Sequence, residues 1–478
     1  MTTTVEAPPA APTAPEEQGL IAAMIRRARA AQAQFESWDQ ERVDEVVTAV
    51  AWAIYEPTRA RSLAETSVRD TGLGNVEDKV IKNRRKTLGT LRDLIGAPSV
   101  GVIAEDPELG ITEYAKPVGV VAAVCPSTNP AATPANKTMM ILKGRNAVIL
   151  SPSPKGASTC LELVGYIHAE LDKLGAPRDL VQLIDRPSKA LTYELMRQCD
   201  KSVVTGSQKN VRAAYSSGKP AIGVGMGNAP VIIDSSADLA DAATKIRLSK
   251  TFDYATSCSS ENSLHIHTEV YARMLDALTA EGGYVLSPDE KTRLQRVMWR
   301  DGHLSSQITA QAPARIAELA GLDDPRAREA AFFVVEEDGV GAQFPFSGEK
   351  LSVVLTVYRF AELDEGLSRI QRLLDYQGAG HSCGIHTANL AQAREVASRL
   401  KVARVLVNQA HCMGTGGGFD NGLGFTLTMG AGTWAGNSMT ENLSYRDFLN
   451  ITRLARVIPV RTPSEQDLFG DYITRNGR

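Results

Sequence analysis

From Gly19 to about Leu91 apolar residues recur at steps of three and four, as in LIAAMIRRARAAQAQF and VDEVVTAVAWAIY, a rhythm that predicts amphipathic helices packed by one face. Past residue 117 the rhythm changes. The runs VGVVAAV (118–124), NAVILS (146–151), LVQLI (180–184) and KSVVT (201–205) are short and apolar throughout, as strands buried on both faces are. Helical stretches at 133–144, 156–174 and 188–198 separate them, and this alternation predicts a parallel, doubly wound α/β sheet. A second alternation follows Pro220. Strands are expected at 229–234, 263–267, 332–337, 353–360, 381–387 and 404–409, with a helix at 238–249. The expected division is a disordered tail (1–18), a first α/β domain (19–235) and a second (236–436). The last segment (437–478) returns to the first domain or to an oligomer interface, its LARVIPV stretch adding a strand to this or another subunit.

Composition narrows the class. A chain of 478 residues exceeds one ordinary core, since domains hold roughly 100 to 200 residues each. With 43% hydrophobic and 22% charged residues the balance is that of a globular enzyme. The net charge is −3 and Lys and Arg are dispersed, so no basic stripe invites nucleic acid or an anionic membrane. No stretch reaches the roughly 18 unbroken apolar residues a membrane helix needs. Residues 1–18 carry no basic residue and no apolar run, hence neither a signal nor a transit peptide. The cysteines at 125, 160, 199, 258, 383 and 412 form no C-x-x-C pair and no zinc spacing, which points to reduced thiols, a cytoplasmic location and no metal.

Four segments gather the candidate chemistry: CPSTNP (125–130), SPSPKG (151–156), TFDYATSCSSEN (251–262) and NQAHCMGTGGGFDNG (408–422). Each closes an expected strand or opens a helix, where α/β proteins place their sites. A lone cysteine is usually a small buried filler. Cys258, however, is surrounded by the hydroxyls of Ser257, Ser259 and Ser260, which an apolar core tolerates poorly. As a nucleophile it needs surroundings that lower its pKa, because an ordinary thiol with pKa about 8.5 is only about 3% thiolate at pH 7. Asn129, held extended by Pro130, is either an Asx-turn cap or an amide donor for a developing oxyanion. No G-x-G-x-x-G follows the first strand, so any dinucleotide pyrophosphate is held in another way. The glycines of 408–422 form either an anion nest or a plain connector.

These segments resemble the aldehyde dehydrogenase superfamily, and within it the CoA-acylating branch, from about residue 20 onward. The likeness is carried by KTFDYATSCSSEN, CPSTNP, VTGS (204–207), FSGEKLSVVL (346–355) and GFTLTMGAGTWAGNSMTENL (424–443). The resemblance implies a Rossmann-type cofactor-binding domain and a catalytic α/β domain, with Cys258 as nucleophile and Asn129 as oxyanion donor. It puts Ser127, Thr128, Thr205, Gly206, Ser207 and Glu349 on a nicotinamide cofactor, although Glu349 beside Lys350 otherwise reads as a solvated turn residue. Ser151, Ser153 and Lys155 close the second strand with no acid among them, so NADP is expected to be accepted alongside NAD. Gly225 stands where hydrolytic relatives carry the glutamate that activates water, which makes coenzyme A the expected acyl acceptor. His381 in a GxGH element is a proton relay or a core histidine, with His386 and His411 as weaker candidates.

NQAHC, FDNG and CSSEN resemble the enzymes of that branch that oxidise sulfoacetaldehyde, so a short anionic aldehyde is expected, its sulfonate met by His411, Thr415, Gly416 and Gly417. Succinate semialdehyde or a short neutral aldehyde is the alternative. A hydrolytic semialdehyde dehydrogenase using Glu261 or Asp253 as base, an acyl phosphate reductase and a catalytically silent structural protein are the rivals. Family analogy implies a homodimer or homotetramer.

Overall fold

The computed structural model describes residues 14–477. Most of the expected tail lies outside them, but the first helix, Pro15–Phe35, already contains residues 15–18, because Pro15 fits the first helical position and Glu16 and Glu17 suit the positive end of the helix dipole. Helices Pro15–Phe35, Gln40–Tyr55, Pro57–Thr71 and Val76–Leu94 supply the early helical layer.

Two parallel sheets follow. The first runs in the order Val181–Leu183, Ala147–Pro152, Val120–Cys125, Lys201–Thr205, Ala221–Val224. Val120–Cys125 and Ala147–Pro152 are buried along their whole length, which is why they read as unbroken apolar runs. The order reverses between Val120–Cys125 and Lys201–Thr205, and α/β folds open their ligand crevice at such a switch. Lys137, fully buried, donates there to the carbonyls of Val124 (2.7 Å) and Val203 (3.3 Å).

The second sheet has seven strands, ordered Gly283–Val285, Phe332–Glu336, Val354–Phe360, Glu261–His267, Ala229–Ile233, Cys383–His386, Val405–Val407. Strand Ala229–Ile233 pairs with Glu261–His267 in this sheet, so the expected boundary at 235 comes too late: the chain crosses between domains after Val224. Each sheet has its own apolar core.

A third sheet joins the hairpin Gly101–Asp106 and Ile111–Pro117 to Leu449–Ala455. The C-terminal strand thus returns to its own chain's hairpin, antiparallel from Leu449 opposite Pro117 to Ala455 opposite Ile111. Among the described residues no helix is long and apolar enough to cross a membrane.

Candidate active site

The segment carrying Cys258 enters the second sheet through an unusual backbone. Asp253, Tyr254 and Ala255 have φ of 51°, 50° and 59°, a left-handed run that costs roughly 1–2 kcal/mol per L-residue. Side chains of helix Val76–Leu94 and its cap hold it. The Asp253 carboxylate accepts from Lys79 Nζ (3.0 Å), from Lys82 Nζ, from Thr256 Oγ1 (2.7 Å) and from the Asn75 N–H (3.0 Å), while the Asp253 N–H donates to Asp78 (2.7 Å). A β-carbon at Gly74 would lie 1.8 Å from the Asp253 carboxylate, and only glycine admits that approach. Burial alone would raise the Asp253 pKa, but the ammonium groups of Lys82 and Lys79 prevail and hold it below the usual carboxylate range. Asp253 is therefore a structural anion with no exposed surface, not a base for water.

Cys258 is half-buried. Its Sγ lies 3.4 Å from His381 Nε2, and His381 Nδ1 lies 2.7 Å from Ser382 Oγ. The tautomer that donates Nδ1–H to Ser382 leaves Nε2 free to accept the thiol proton. Contrary to the expectation of a lowered pKa, burial and then the charge of Glu349 push the Cys258 thiol up to about 12. His381 is pressed down to about 3 by burial and then by Arg404. The resting pair is thus neutral thiol and neutral imidazole, so any attack by the sulfur would require removal of its proton. Backbone fits closely beneath it: a β-carbon at Gly227 would sit 2.4 Å from the Cys258 carbonyl oxygen. Gly225 lines one cavity with Cys258, His381 and Thr205, and its own β-carbon position meets the amide of Gln208, so no carboxylate projects from it. Glu349 accepts from the Gly227 N–H (3.1 Å), and burial raises its pKa to about 8, leaving it protonated at neutral pH. Beside it Lys350, also buried, donates to the carbonyls of Phe346, Gly348 and Asn262.

A second cavity, of about 340 Å³, opens at the switch point of the first sheet, and Ser127, Ser153, Lys189, Thr205, Gly206 and Ser207 are among its lining. Thr205 belongs to both cavities, so the larger one adjoins the cavity that Cys258 lines. Hydroxyls, a lysine and a helix capped by Ser207 form a donor set that fits a dinucleotide. Not every expected cofactor residue belongs here. Ser151 is fully buried and bonds Thr192 Oγ1 (2.8 Å), because alternation turns it into the sheet. Lys155 is exposed and outside this lining. Thr128 instead offers its carbonyl to Lys79 (3.2 Å) and its hydroxyl to Asn129 Nδ2 (3.4 Å). Lys189 and Asn210, unmarked by any sequence motif, line the cavity in their place.

A third cavity adjoins the one that Cys258 lines. Asn129 and Ser257 line it together with Lys82, Arg85, Lys86 and Met413, and Leu427 is common to it and to the Cys258 cavity. The residues expected to meet a sulfonate are elsewhere. His411 and Thr415 are buried, His411 Nδ1 lying 2.7 Å from the Ser259 carbonyl and Thr415 donating to the His411 carbonyl (2.6 Å). The Gly417 N–H donates to Gly414 and the Gly418 N–H to Asn421, so these amides are committed inside the protein and no nest forms. Gly416 and Gly417 are required instead by close packing, their β-carbon positions meeting the Thr426 carbonyl (2.5 Å) and Phe425 Cα (2.6 Å). His386 is buried in strand Cys383–His386. Glu261 has no exposed surface and accepts from the His411 N–H (2.9 Å), which removes it as a base in either cavity.

Residues 10–288 match the profile described as "Aldehyde dehydrogenase family". The chain is 58% identical over 459 residues to the protein named sulfoacetaldehyde dehydrogenase (acylating) of Cupriavidus necator, covering 96% of this chain and 93% of that one. It is 43% identical to the sulfoacetaldehyde dehydrogenase of an Acholeplasma species, covering 95% and 94%. The solved acetylating aldehyde dehydrogenase of Geobacillus thermoglucosidasius superposes with a TM-score of 0.90 at 35% identity, covering 94% and 99%. Sequence and fold agree: this chain belongs to the aldehyde dehydrogenase family.

Proposed function

We propose that the protein oxidises sulfoacetaldehyde to sulfoacetyl-CoA through a thioester on Cys258. The observation that carries this is that Cys258 lines a cavity with His381 and Gly225 which shares Thr205 with the hydroxyl-lined cleft and Leu427 with the cavity lined by Lys82, Arg85 and Lys86. The 58% identity to an acylating sulfoacetaldehyde dehydrogenase supports the same aldehyde.

As the sulfur attacks the carbonyl carbon, His381 Nε2 takes its proton. Asn129 Nδ2 donates to the alkoxide that develops, a charge best met by donors fixed beforehand. Bound in the cleft, NAD(P)+ supplies the hydride acceptor that no side chain can provide. The thioester then persists, because the carboxyl group whose charge reaches the thiol among the described residues, Glu349, is protonated and bonded to Gly227, and His381, having taken the thiol proton, is not free to activate water. The CoA thiol, a stronger nucleophile, displaces Cys258 and takes the acyl group. NADP is accepted, since the lining of the cleft contains Lys189 and no acid.

The protein acts as a homo-oligomer: Leu449–Ala455 is a sheet edge, and the exposed Val457, Val460, Leu468 and Tyr472 that follow form an apolar surface for a second copy. Light scattering on the eluted protein tests that state.

Mass spectrometry of products from sulfoacetaldehyde, CoA and either nicotinamide cofactor tests the activity. Sulfoacetyl-CoA is expected, with only a single burst of reduced cofactor when CoA is omitted; sustained release of free sulfoacetate without CoA overturns the proposal.

A further inference from the structure

Helix Val76–Leu94 brings three cations to the substrate side of the nucleophile, because residues 82, 85, 86 and 89 share one face. Gly89 lets that face come close: a β-carbon there would strike the Phe425 ring at 2.2 Å. The three cations are not equivalent. The ammonium of Lys82 has three acceptors, Asn129 Oδ1, Asp253 and Thr256 Oγ1, which matches its three protons. Lys86 is buried and, among the described residues, its ammonium has one acceptor, the Gly416 carbonyl at 2.7 Å, so two protons of a buried cation meet no oxygen of those residues. Arg85 donates only to the Met413 carbonyl, at 3.3 Å, and its guanidinium lies 5.6 Å from the ring centres of Phe419 and Phe425. Among the described residues neither Arg85 nor Lys86 forms an ion pair, and no carboxylate lines the cavity they share with Asn129 and Ser257. A buried cation without a counter-charge is strongly unfavourable. Burial, then the charge of Arg85, brings the Lys86 pKa down to about 7.

We propose that Arg85 and Lys86 are the specificity-determining seat for the anionic tail of the aldehyde, completing the donor set of Lys86 with sulfonate oxygens while the carbonyl carbon lies at Cys258. This deepens the proposed function and rests on it. A sulfonate offers three acceptor oxygens, which suits a guanidinium and an ammonium converging from adjacent residues; a carboxylate offers two, and a neutral aldehyde leaves both cations without a partner. The selectivity thus comes from a helix laid down long before the nucleophile loop in sequence.

The experiment compares kcat/KM for sulfoacetaldehyde and for propanal, each with CoA and cofactor, in the wild type, Lys86→Met and Arg85→Gln. The ratio of sulfoacetaldehyde to propanal is expected to fall roughly 100-fold in Lys86→Met, chiefly through KM, and to fall in Arg85→Gln, whose more exposed side chain makes loss of the fold a lesser concern. An unchanged ratio in both variants overturns the proposal. Isothermal titration with ethanesulfonate, which has the anion but no reactive carbonyl, reads the seat without turnover. Binding to the wild type that is lost in Lys86→Met supports the seat even if the aldehyde assignment fails, and equal binding by both proteins overturns it even if sulfoacetyl-CoA is the product.

Discussion

Lys82 donates a 2.9 Å hydrogen bond to Asn129 Oδ1, and because an ammonium cannot accept, this fixes which end of the amide faces away from the lysine. In the proposed mechanism this turns Asn129 Nδ2 towards the oxyanion and makes Lys82 its positioning residue. Lys82→Met is expected to lower kcat roughly 100-fold with little change in KM. Asn129→Ala added to that background should lower it little further, since both changes remove one interaction. Steady-state kinetics of the two single variants and the double variant check this; fully additive losses would exclude the relationship. Lys79 still pairs with Asp253 in the variant, so circular dichroism can confirm a native fold.

Glu349 suppresses the thiolate of Cys258 by its charge once it ionises above about pH 8. Glu349→Gln keeps an acceptor for the Gly227 N–H and removes that charge. Alkylation of Cys258 by iodoacetamide should therefore be faster in the variant than in the wild type at pH 9, with the difference shrinking at pH 7. Equal rates at pH 9 would separate the two groups.

Lys189 is a cation in the lining of the cofactor cleft. Lys189→Glu replaces attraction for a 2′-phosphate by repulsion, a change of the order of 1 kcal/mol or more near water. The ratio of kcat/KM with NADP to that with NAD should fall roughly tenfold, and an unchanged ratio would move the adenosine ribose away from Lys189.

His265, fully buried and stacked on Tyr358 at 4.9 Å, is held down to about 3 by burial. In the unfolded chain a histidine titrates at about 6.5. The unfolded state therefore binds the proton first, and the stability tied to the neutral ring is complete above about pH 6.5 and declines as pH falls towards 3. One such group contributes a slope of about 1.4 kcal/mol per pH unit. Urea unfolding between pH 4.5 and 6 should show a slope smaller by about that amount in His265→Gln; identical slopes would mean the ring protonates in the fold.

The buried strands were legible because Val120–Cys125 and Ala147–Pro152 are covered on both faces and so carry no polar alternation. Flanking hydroxyls marked Cys258 in the sequence as a candidate, and the fold sets it in one cavity with His381. Arg85 and Lys86 were not: on an amphipathic helix charged residues read as a solvated face, whereas Lys86 is buried and Arg85 half-buried on the face where Phe425 approaches Gly89. The glycines at 416 and 417 misled for the converse reason, since a run that can turn amides inward can equally admit a crossing chain. Hairpin Gly101–Pro117 escaped notice because Gly101–Asp106 is mostly exposed and lacks an apolar face. Ser151 was assigned by its place at a strand end, where the pleat rather than the end decides direction.

The pairing of Leu449–Ala455 with Ile111–Pro117 has a consequence for biosynthesis. Asn146 ties the same seam, its amide donating to the Phe448 carbonyl (2.9 Å) and accepting from the N–H groups of Val118 and Gly119. Strand Ile111–Pro117 must wait with an open edge until residues 449–455 have been made. A chain cut just before Leu449 should thus be as damaged as one cut far earlier, its unpaired hairpin inviting aggregation.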